Sequence, residues 1–213
     1  MSTARKPAPW DIVGAEFVAG AQKLAQLPAP ITVELAFAGR SNVGKSSLMN
    51  ALMGRRRLVR TSSTPGCTRQ INAFEAKARD GAQFHLIDLP GYGYAKRSKV
   101  ERSAWAELIE AYLLRREALR AVAVLVDARR GVEAEEEELV SFVRSRQGPP
   151  AEVVVVATKI DKIGKSKRKA ALGKLRAPAG TAVLGVSAET GEGLDRLWRE
   201  LRKTTSTPVE ATI

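Results

Sequence analysis

Gly39-Arg40-Ser41-Asn42-Val43-Gly44-Lys45-Ser46 constrains this chain more than any other segment, because it follows the pattern G-x-x-x-x-G-K-[ST]. A loop of this kind works only in one setting. It must leave a buried strand and enter a helix, so that consecutive backbone N–H groups and the positive helix N-terminus converge on phosphates. The flanks supply that setting. Ile31 to Ala38 carries Ile31, Val33, Leu35 and Phe37 at period two, as a strand does. Ser47 to Met53 reads as the helix that follows, and Gly54 is placed to end it. In such a loop Lys45 reaches the β- and γ-phosphates, and the Ser46 hydroxyl ligates Mg²⁺.

The rest of the chain alternates in the same way. Phe84 to Leu89, Ala121 to Val126, Val153 to Thr158 and Ala182 to Ser187 are short and rich in Val, Leu and Ile. Runs as continuously apolar as VVVVA suit parallel strands covered on both faces. Ile71 to Ala78 is more polar and is expected at an edge. Ser98 to Leu114, with Val100, Ala104, Leu108 and Ala111 or Tyr112 on one stripe, reads as a helix. So do Glu135 to Ser145, with Leu139, Phe142 and Val143, and the Leu194, Leu197, Trp198, Leu201 repeat. The pattern predicts an α/β P-loop NTPase fold in three layers. Its doubly wound, mostly parallel sheet would have six strands, helices on both faces and one antiparallel edge strand. A length of 213 residues suits one domain. Residues 28–203 are expected to form it, behind a partly disordered lead-in at 1–27 and ahead of a mobile tail at 204–213. No element can be assigned to Ile12 to Leu27.

Polar residues cluster where strands end. Asp88-Leu89-Pro90-Gly91 closes the Phe84 strand; an acid there can hold Mg²⁺ through water, and the Gly91 N–H can meet a γ-phosphate. Read without its context, the tetrapeptide is an ordinary turn. Thr158-Lys159-Ile160-Asp161 follows the VVVVA run. The Asp161 carboxylate can accept two hydrogen bonds from guanine N1–H and its 2-amino group, and Lys159 can lay its stem on the ring. Adenine offers neither donor, so it would leave the charge unpaired. Ser187-Ala188-Glu189 closes the last strand, where the Ala188 N–H can bond guanine O6. Between the first helix and the edge strand, Thr61 to Gln70 is polar and contains Pro and Gly. It is a segment able to order around nucleotide, with Thr68 and Thr64 both open as the second hydroxyl on Mg²⁺.

Charge narrows the partner. The chain carries +12 at pH 7 and has a pI near 10.2, which implies attraction to a polyanion, nucleic acid or an acidic membrane. Three clusters carry it: Arg55, Arg56, Arg57 and Arg60; Lys96, Arg97, Lys99 and Arg102; and Lys162, Lys165, Lys167, Arg168 and Lys169. All are read as lying on the rim where the strands end, and as facing RNA. The one cysteine, Cys67, fits a reducing compartment, and the N-terminus lacks the apolar core of a secretory signal. Strongly apolar stretches such as Val153 to Ala157 are too short to cross a bilayer. A cytoplasmic protein, monomeric and without a transmembrane segment, is the expectation.

With these motifs in this order, the chain resembles the EngB family of GTP-binding proteins, within the TrmE-Era-EngA-EngB-septin-like class of P-loop GTPases. AFAGRSNVGKSS (36–47), TPGCTRQIN (64–72), DLPGYGYA (88–95) and TKID (158–161) carry the resemblance, which spans roughly residues 30–203. It implies a GTPase that hydrolyses GTP to GDP slowly, with Mg²⁺, as a switch in large ribosomal subunit assembly, needed for normal cell division and septation. Nucleotide contacts would come from Gly39, Arg40, Ser41, Asn42, Val43, Gly44, Lys45, Ser46 and Ser47. Others would come from Gly66, Cys67, Thr68, Arg69 and Gln70, and from Asp88, Leu89, Pro90 and Gly91. Thr158, Lys159, Ile160, Asp161, Val186, Ser187 and Ala188 complete the set. Thr68 takes the Mg²⁺ role ahead of Thr64, beside Ser46 and water-linked Asp88. Lys45, Asn42 and Gly91 would serve catalysis, Asn42 by holding a monovalent cation, K⁺. Cys67 departs from the Arg that relatives often carry there.

The residue after Gly91 is Tyr92, where Ras-like proteins place a water-orienting glutamine, so intrinsic turnover should be low. No single arginine announces itself as a finger in cis, although Arg69 is near enough to consider. His85 alternates with Phe84 and Leu86 and has no companions at ligand spacing, which makes it structural. Trp105 and Trp198 read as helix packing, and Glu135 to Glu138 as a solvated helix start. A nucleotide-dependent scaffold at the division septum or membrane is the rival function, though no basic amphipathic helix or lipidation motif supports it. A small-molecule kinase shares the phosphate loop but not the guanine-reading TKID.

Overall fold

A computed structural model describes residues 7–59, 70–91, 99–179 and 183–205, with side chains at 99–106 and 176–179 outside the described set. The described strands are β1 (Ile12–Ala21), β2 (Glu34–Gly39), β3 (Ile71–Ala78), β4 (Gln83–Asp88), β5 (Leu119–Asp127), β6 (Glu152–Thr158) and β7 (Val183–Gly185). The helices are α1 (Lys45–Leu52), α2 (Lys99–Arg115), α3 (Ala134–Arg144), α4 (Lys165–Ala179) and α5 (Leu194–Lys203). The strands form one sheet in the order β1-β3-β4-β2-β5-β6-β7. From β4 to β7 every pairing is parallel, while β3 runs antiparallel to both β4 and β1.

The sheet divides two cores, and period-two alternation decides which side chain joins which. Ala36 and Ala38 of β2 face one core with Tyr112 and Leu113 of α2, Val140 and Val143 of α3, and Leu175 of α4. Leu35 and Phe37 face the other, with Leu48 and Met49 of α1 and Leu197, Trp198 and Leu201 of α5. All nine residues of β5 are buried, as a strand covered on both faces requires.

The described residues hold seven strands, one more than expected, and the addition comes from the lead-in. β1 lies within residues 1–27 yet pairs along the whole of β3, so β3 sits one strand inside the edge where the sequence reading put it. Register shifts make Val13 and Val18 bulges, and both are exposed. Two bulges and two glycines break the period-two pattern, which hid this strand from a sequence reading. The same bulges twist a free edge away from further pairing. α4 is the other unforeseen element; Gly173 and Pro178 interrupt its propensity, and no charged residue in its first turn is acidic.

Candidate functional site

The phosphate loop joins the C-terminal end of β2 to α1, at the sheet end where β4, β5 and β6 also stop. Asn42 (φ 65°) and Gly44 (φ 106°) adopt the left-handed conformation that the tight turn needs, which costs Gly44 nothing. Gly91 is required for another reason. A Cβ there would stand 2.9 Å from Ser41 Oγ and 3.1 Å from Ser41 N, so only glycine lets the Asp88–Gly91 turn approach the loop. At the first turn of α1 the Lys45 ammonium is ion-paired with the Asp88 carboxylate, both groups being almost fully buried. The second Asp88 oxygen lies 3.5 Å from the Asn72 amide nitrogen. Ser46 is half-buried and Ser47 exposed beside them.

The loops after β6 and β7 are stitched to the phosphate loop. The buried Thr158 hydroxyl is 2.6 Å from the Val43 carbonyl oxygen and 3.1 Å from that of Val126. Lys159, itself left-handed at φ 59°, donates from its ammonium to the Asn42 carbonyl at 2.6 Å and to Asp127 Oδ2 at 3.1 Å. Asp161 accepts a 2.6 Å bond from the hydroxyl of fully buried Ser187 and pairs with Lys162 at 3.2 Å. The Ser187 hydroxyl, ahead of Lys162, holds the Asp161 carboxyl below the usual carboxylate range, so it is ionised and aimed from a fixed position. Backbone bonds from Val186 N–H to the Ala157 carbonyl and from Ile160 N–H to the Val186 carbonyl bring Ala188 beside the Thr158 turn.

The structure thus gathers Gly39 to Ser47, Asp88 to Gly91, Thr158 to Asp161 and Val186 to Ala188 at one end of the sheet. Val43, Leu89, Ile160 and Val186 bury their side chains in the core, which leaves main-chain groups for any ligand. Gly66, Cys67, Thr68, Arg69, Thr64 and Tyr92 lie outside the described residues; Gln70 is described and donates to Asn72 Oδ1 at 3.0 Å. Among the described residues no group of three or more His, Cys, Asp or Glu is arranged to hold a metal. The oxygen donors present, Ser46 and Asp88, suit a hard cation such as Mg²⁺ that takes its remaining ligands from phosphate and water.

Sequence reasoning missed one residue here, Asp127, and one set of partners, the acids that meet Arg40. Asp127 ends β5 as the one acid of a buried strand, a polarity break that marked it in retrospect. The Arg129 guanidinium, ahead of Lys159, holds its carboxyl far below the usual range. Arg40, in the phosphate loop, pairs with Glu133 and, at 3.6 Å, with Glu135 at the start of α3. The acid run there is only partly solvated: Glu136 is buried and accepts the Glu133 N–H at 2.8 Å as a helix cap. One placement is also corrected. Arg55, Arg56 and Arg57 follow the end of α1 remote from the phosphate loop. Arg55 reaches the Val13 carbonyl oxygen at 3.3 Å, next to the Ile12–Ala78 end of β1 and β3. They lie at the opposite pole of the sheet from the site, because α1 runs back across it.

A mostly parallel sheet with this loop, this acid and the turns after β6 and β7 defines a P-loop GTPase. Residues 34–159 match the family described as 50S ribosome-binding GTPase. Over 186 residues the chain is 44% identical to the probable GTP-binding protein EngB of Desulforapulum autotrophicum, covering 87% of this chain and 94% of that one. Over 190 residues it is 45% identical to that of Pelotomaculum thermopropionicum, covering 87% and 92%. The chain belongs to the EngB family of GTP-binding proteins and is a GTPase. A solved EngB structure superposes with a TM-score of 0.62 at 24% identity over 82% of this chain and 99% of that one. Era in complex with MgGDPNP and nucleotides 1506–1542 of 16S ribosomal RNA gives 0.67 at 29% identity, over 82% and 57%. No helix among the described residues is long and apolar enough to cross a membrane.

Proposed function

We propose that this GTPase binds GTP with Mg²⁺ and turns over slowly as a switch in large ribosomal subunit assembly, on which normal cell division and septation depend. The buried Lys45–Asp88 pair carries the site assignment. Within the chain Asp88 supplies the negative charge that terminal phosphates bring when nucleotide binds, and Lys45 is already aimed at it. Ser46, Thr68 and, through water, Asp88 would hold Mg²⁺, which neutralises charge on the β- and γ-phosphate oxygens. Gly91 would offer its N–H to the γ-phosphate. Asp161, fixed by Ser187, would read the guanine edge while the Lys159 stem covers the ring and Ala188 N–H meets O6. With Tyr92 in place of glutamine, no side chain after Gly91 orients water, so turnover is slow and a K⁺ ion held by Asn42 would speed it.

The family description and the +12 charge support a ribosomal partner; a monomer acting in the cytoplasm is part of the same proposal. The G domain, 28–203 in the sequence reading, would take in β1 as well, since that strand pairs along β3. Co-sedimentation with isolated ribosomal subunits, with a GTP analogue, GDP or no nucleotide, tests the reading. Large-subunit association favoured by the GTP analogue is the expected result. Absence of association at low salt with every nucleotide refutes it, and capture by anionic vesicles instead supports the septum or membrane scaffold.

A further inference from the structure

Lysine has four free side-chain torsions, so a lysine stem makes a surface for a flat ring only when its far end is fixed. Lys159 is fixed twice. Its ammonium meets the Asn42 carbonyl, a neutral acceptor in the phosphate loop, at 2.6 Å, and the Asp127 carboxylate, the charged one, at 3.1 Å. On the way to these anchors the stem passes the phosphate loop, its Cε 3.6 Å from where a Cβ on Gly44 would stand. Asp127 is only 7% exposed, at the last position of β5, and cannot swing away. Its other donors come from its own turn: Arg129 N–H and Nε to Oδ1 at 3.0 and 2.9 Å, and Arg129 Nη2 to Oδ2 at 2.7 Å.

We infer that Asp127 is a positioning residue for guanine nucleotides, holding the Lys159 stem in place between the phosphate loop and the end of β5. It acts on the base through Lys159 and touches no ligand itself. The inference rests on the reading above that Lys159 covers the base. The rival role for Asp127 is to hold the Arg129 turn, and the two roles separate experimentally because Arg129 is half exposed and can be truncated without removing Lys159's other anchor, the main-chain Asn42 carbonyl.

Release of a fluorescent GDP analogue from the full chain tests this. Asp127→Asn should speed release about tenfold, the worth of a hydrogen bond to a charged group. Lys159→Ala should speed it at least as much, and the double variant should release no faster than Lys159→Ala alone, since the two act as one unit. Arg129→Ala should leave release at the wild-type rate or slow it, because Asp127 is then left to Lys159. Asp127→Glu keeps the charge on a longer stem and should fall between wild type and Asp127→Asn, which also guards against a misfolded amide variant. Arg129→Ala reproducing Asp127→Asn, or additive effects in the double variant, overturns the positioning role. Lys159→Ala without effect overturns the base-contact reading and this inference together; Lys159→Ala active with Asp127→Asn silent overturns this inference alone.

Discussion

Asp161 and His85 show how one side chain's surroundings set its chemistry. Asp161 is ionised and held by Ser187, so in the proposed reading its selectivity lies in which donors meet it. Asp161→Asn places an amide donor there. GTP affinity should fall by about a hundredfold or more, while xanthosine triphosphate, with an oxygen at the same ring position, should bind better than it does to wild type. Competition of each triphosphate against a fluorescent GDP analogue measures both. Equal wild-type affinity for ATP and GTP would remove Asp161 from the reading. His85 is the only histidine, is buried on β4, and its Nδ1 has no partner among the described residues. Burial lowers its pKa from the ordinary 6.5, against the pull of Glu34 and Glu75 and with a smaller push from Arg116. The unfolded chain therefore binds the proton more readily. Stability is full above pH 6.5 and falls as pH drops from there toward the folded-state pKa. Urea unfolding at pH 7.5, 6.5 and 5.5 should show that decline in wild type, and a smaller one in His85→Leu.

At the scale of elements, α1 is the piece on which the site depends, and its far end is pinned by two side chains. The Asn50 amide donates to the Val59 carbonyl at 2.7 Å and accepts the Val59 N–H at 2.9 Å, closing the loop that leaves the helix. The Trp198 indole N–H of α5 bonds the Leu52 carbonyl at 3.1 Å, and its ring packs edge-on to Phe84 at 5.6 Å. Asn50→Ala leaves two buried backbone groups unpaired and should cost about 2–4 kcal/mol, against about 1 kcal/mol for Trp198→Phe, which keeps most of the packing. Urea unfolding of both variants checks the ranking, and an Asn50→Ala loss no larger than that of Trp198→Phe would contradict it. A second tie lies under the sheet's other face. The carboxylate of fully buried Glu34 accepts from the Tyr112 hydroxyl at 2.9 Å and from the Arg116 guanidinium at 2.6 Å, joining β2 to α2. Glu34→Gln strands a buried guanidinium and should cost about 3–5 kcal/mol.

At the scale of the whole molecule, two of the basic clusters stand, as far as the described residues go, at opposite poles of the sheet. Lys165, Lys167 and Lys169 stand exposed at the start of α4, on the nucleotide side, while Arg168 is drawn inward to Glu192 and the Ile163 carbonyl. Arg55, Arg56 and Arg57 stand at the far pole, Arg57 in a left-handed conformation (φ 68°) within the loop that Asn50 closes. A polyanion held by both should lose affinity steeply with salt, by a slope of about 0.9 for each phosphate neutralised. Replacing the three arginines by alanine should lower the slope by about 2–3 with GTP and GDP alike, because no described residue at that pole touches the candidate site. Replacing the three lysines should act more on the GTP form. Salt titrations of large-subunit binding in both nucleotide states measure this, and an unchanged slope in the arginine variant would take that pole out of the contact.

The sequence alone determined the class of fold and which polar segments stand at the strand ends. Those features are local: a phosphate loop needs its glycines and lysine within eight residues, and buried parallel strands must be apolar throughout. What rested on contacts between distant segments stayed hidden. β1 has no legible alternation because its bulges spoil it, and only pairing with β3 makes it a strand. The arginines after α1 looked like part of the rim until the helix direction carried them to the other pole. Asp127 and Lys159 are 32 residues apart in sequence, and no spacing rule relates them. The register of β5 against β6 does, setting Asp127 directly opposite Thr158 and so bringing the carboxylate to the lysine that follows.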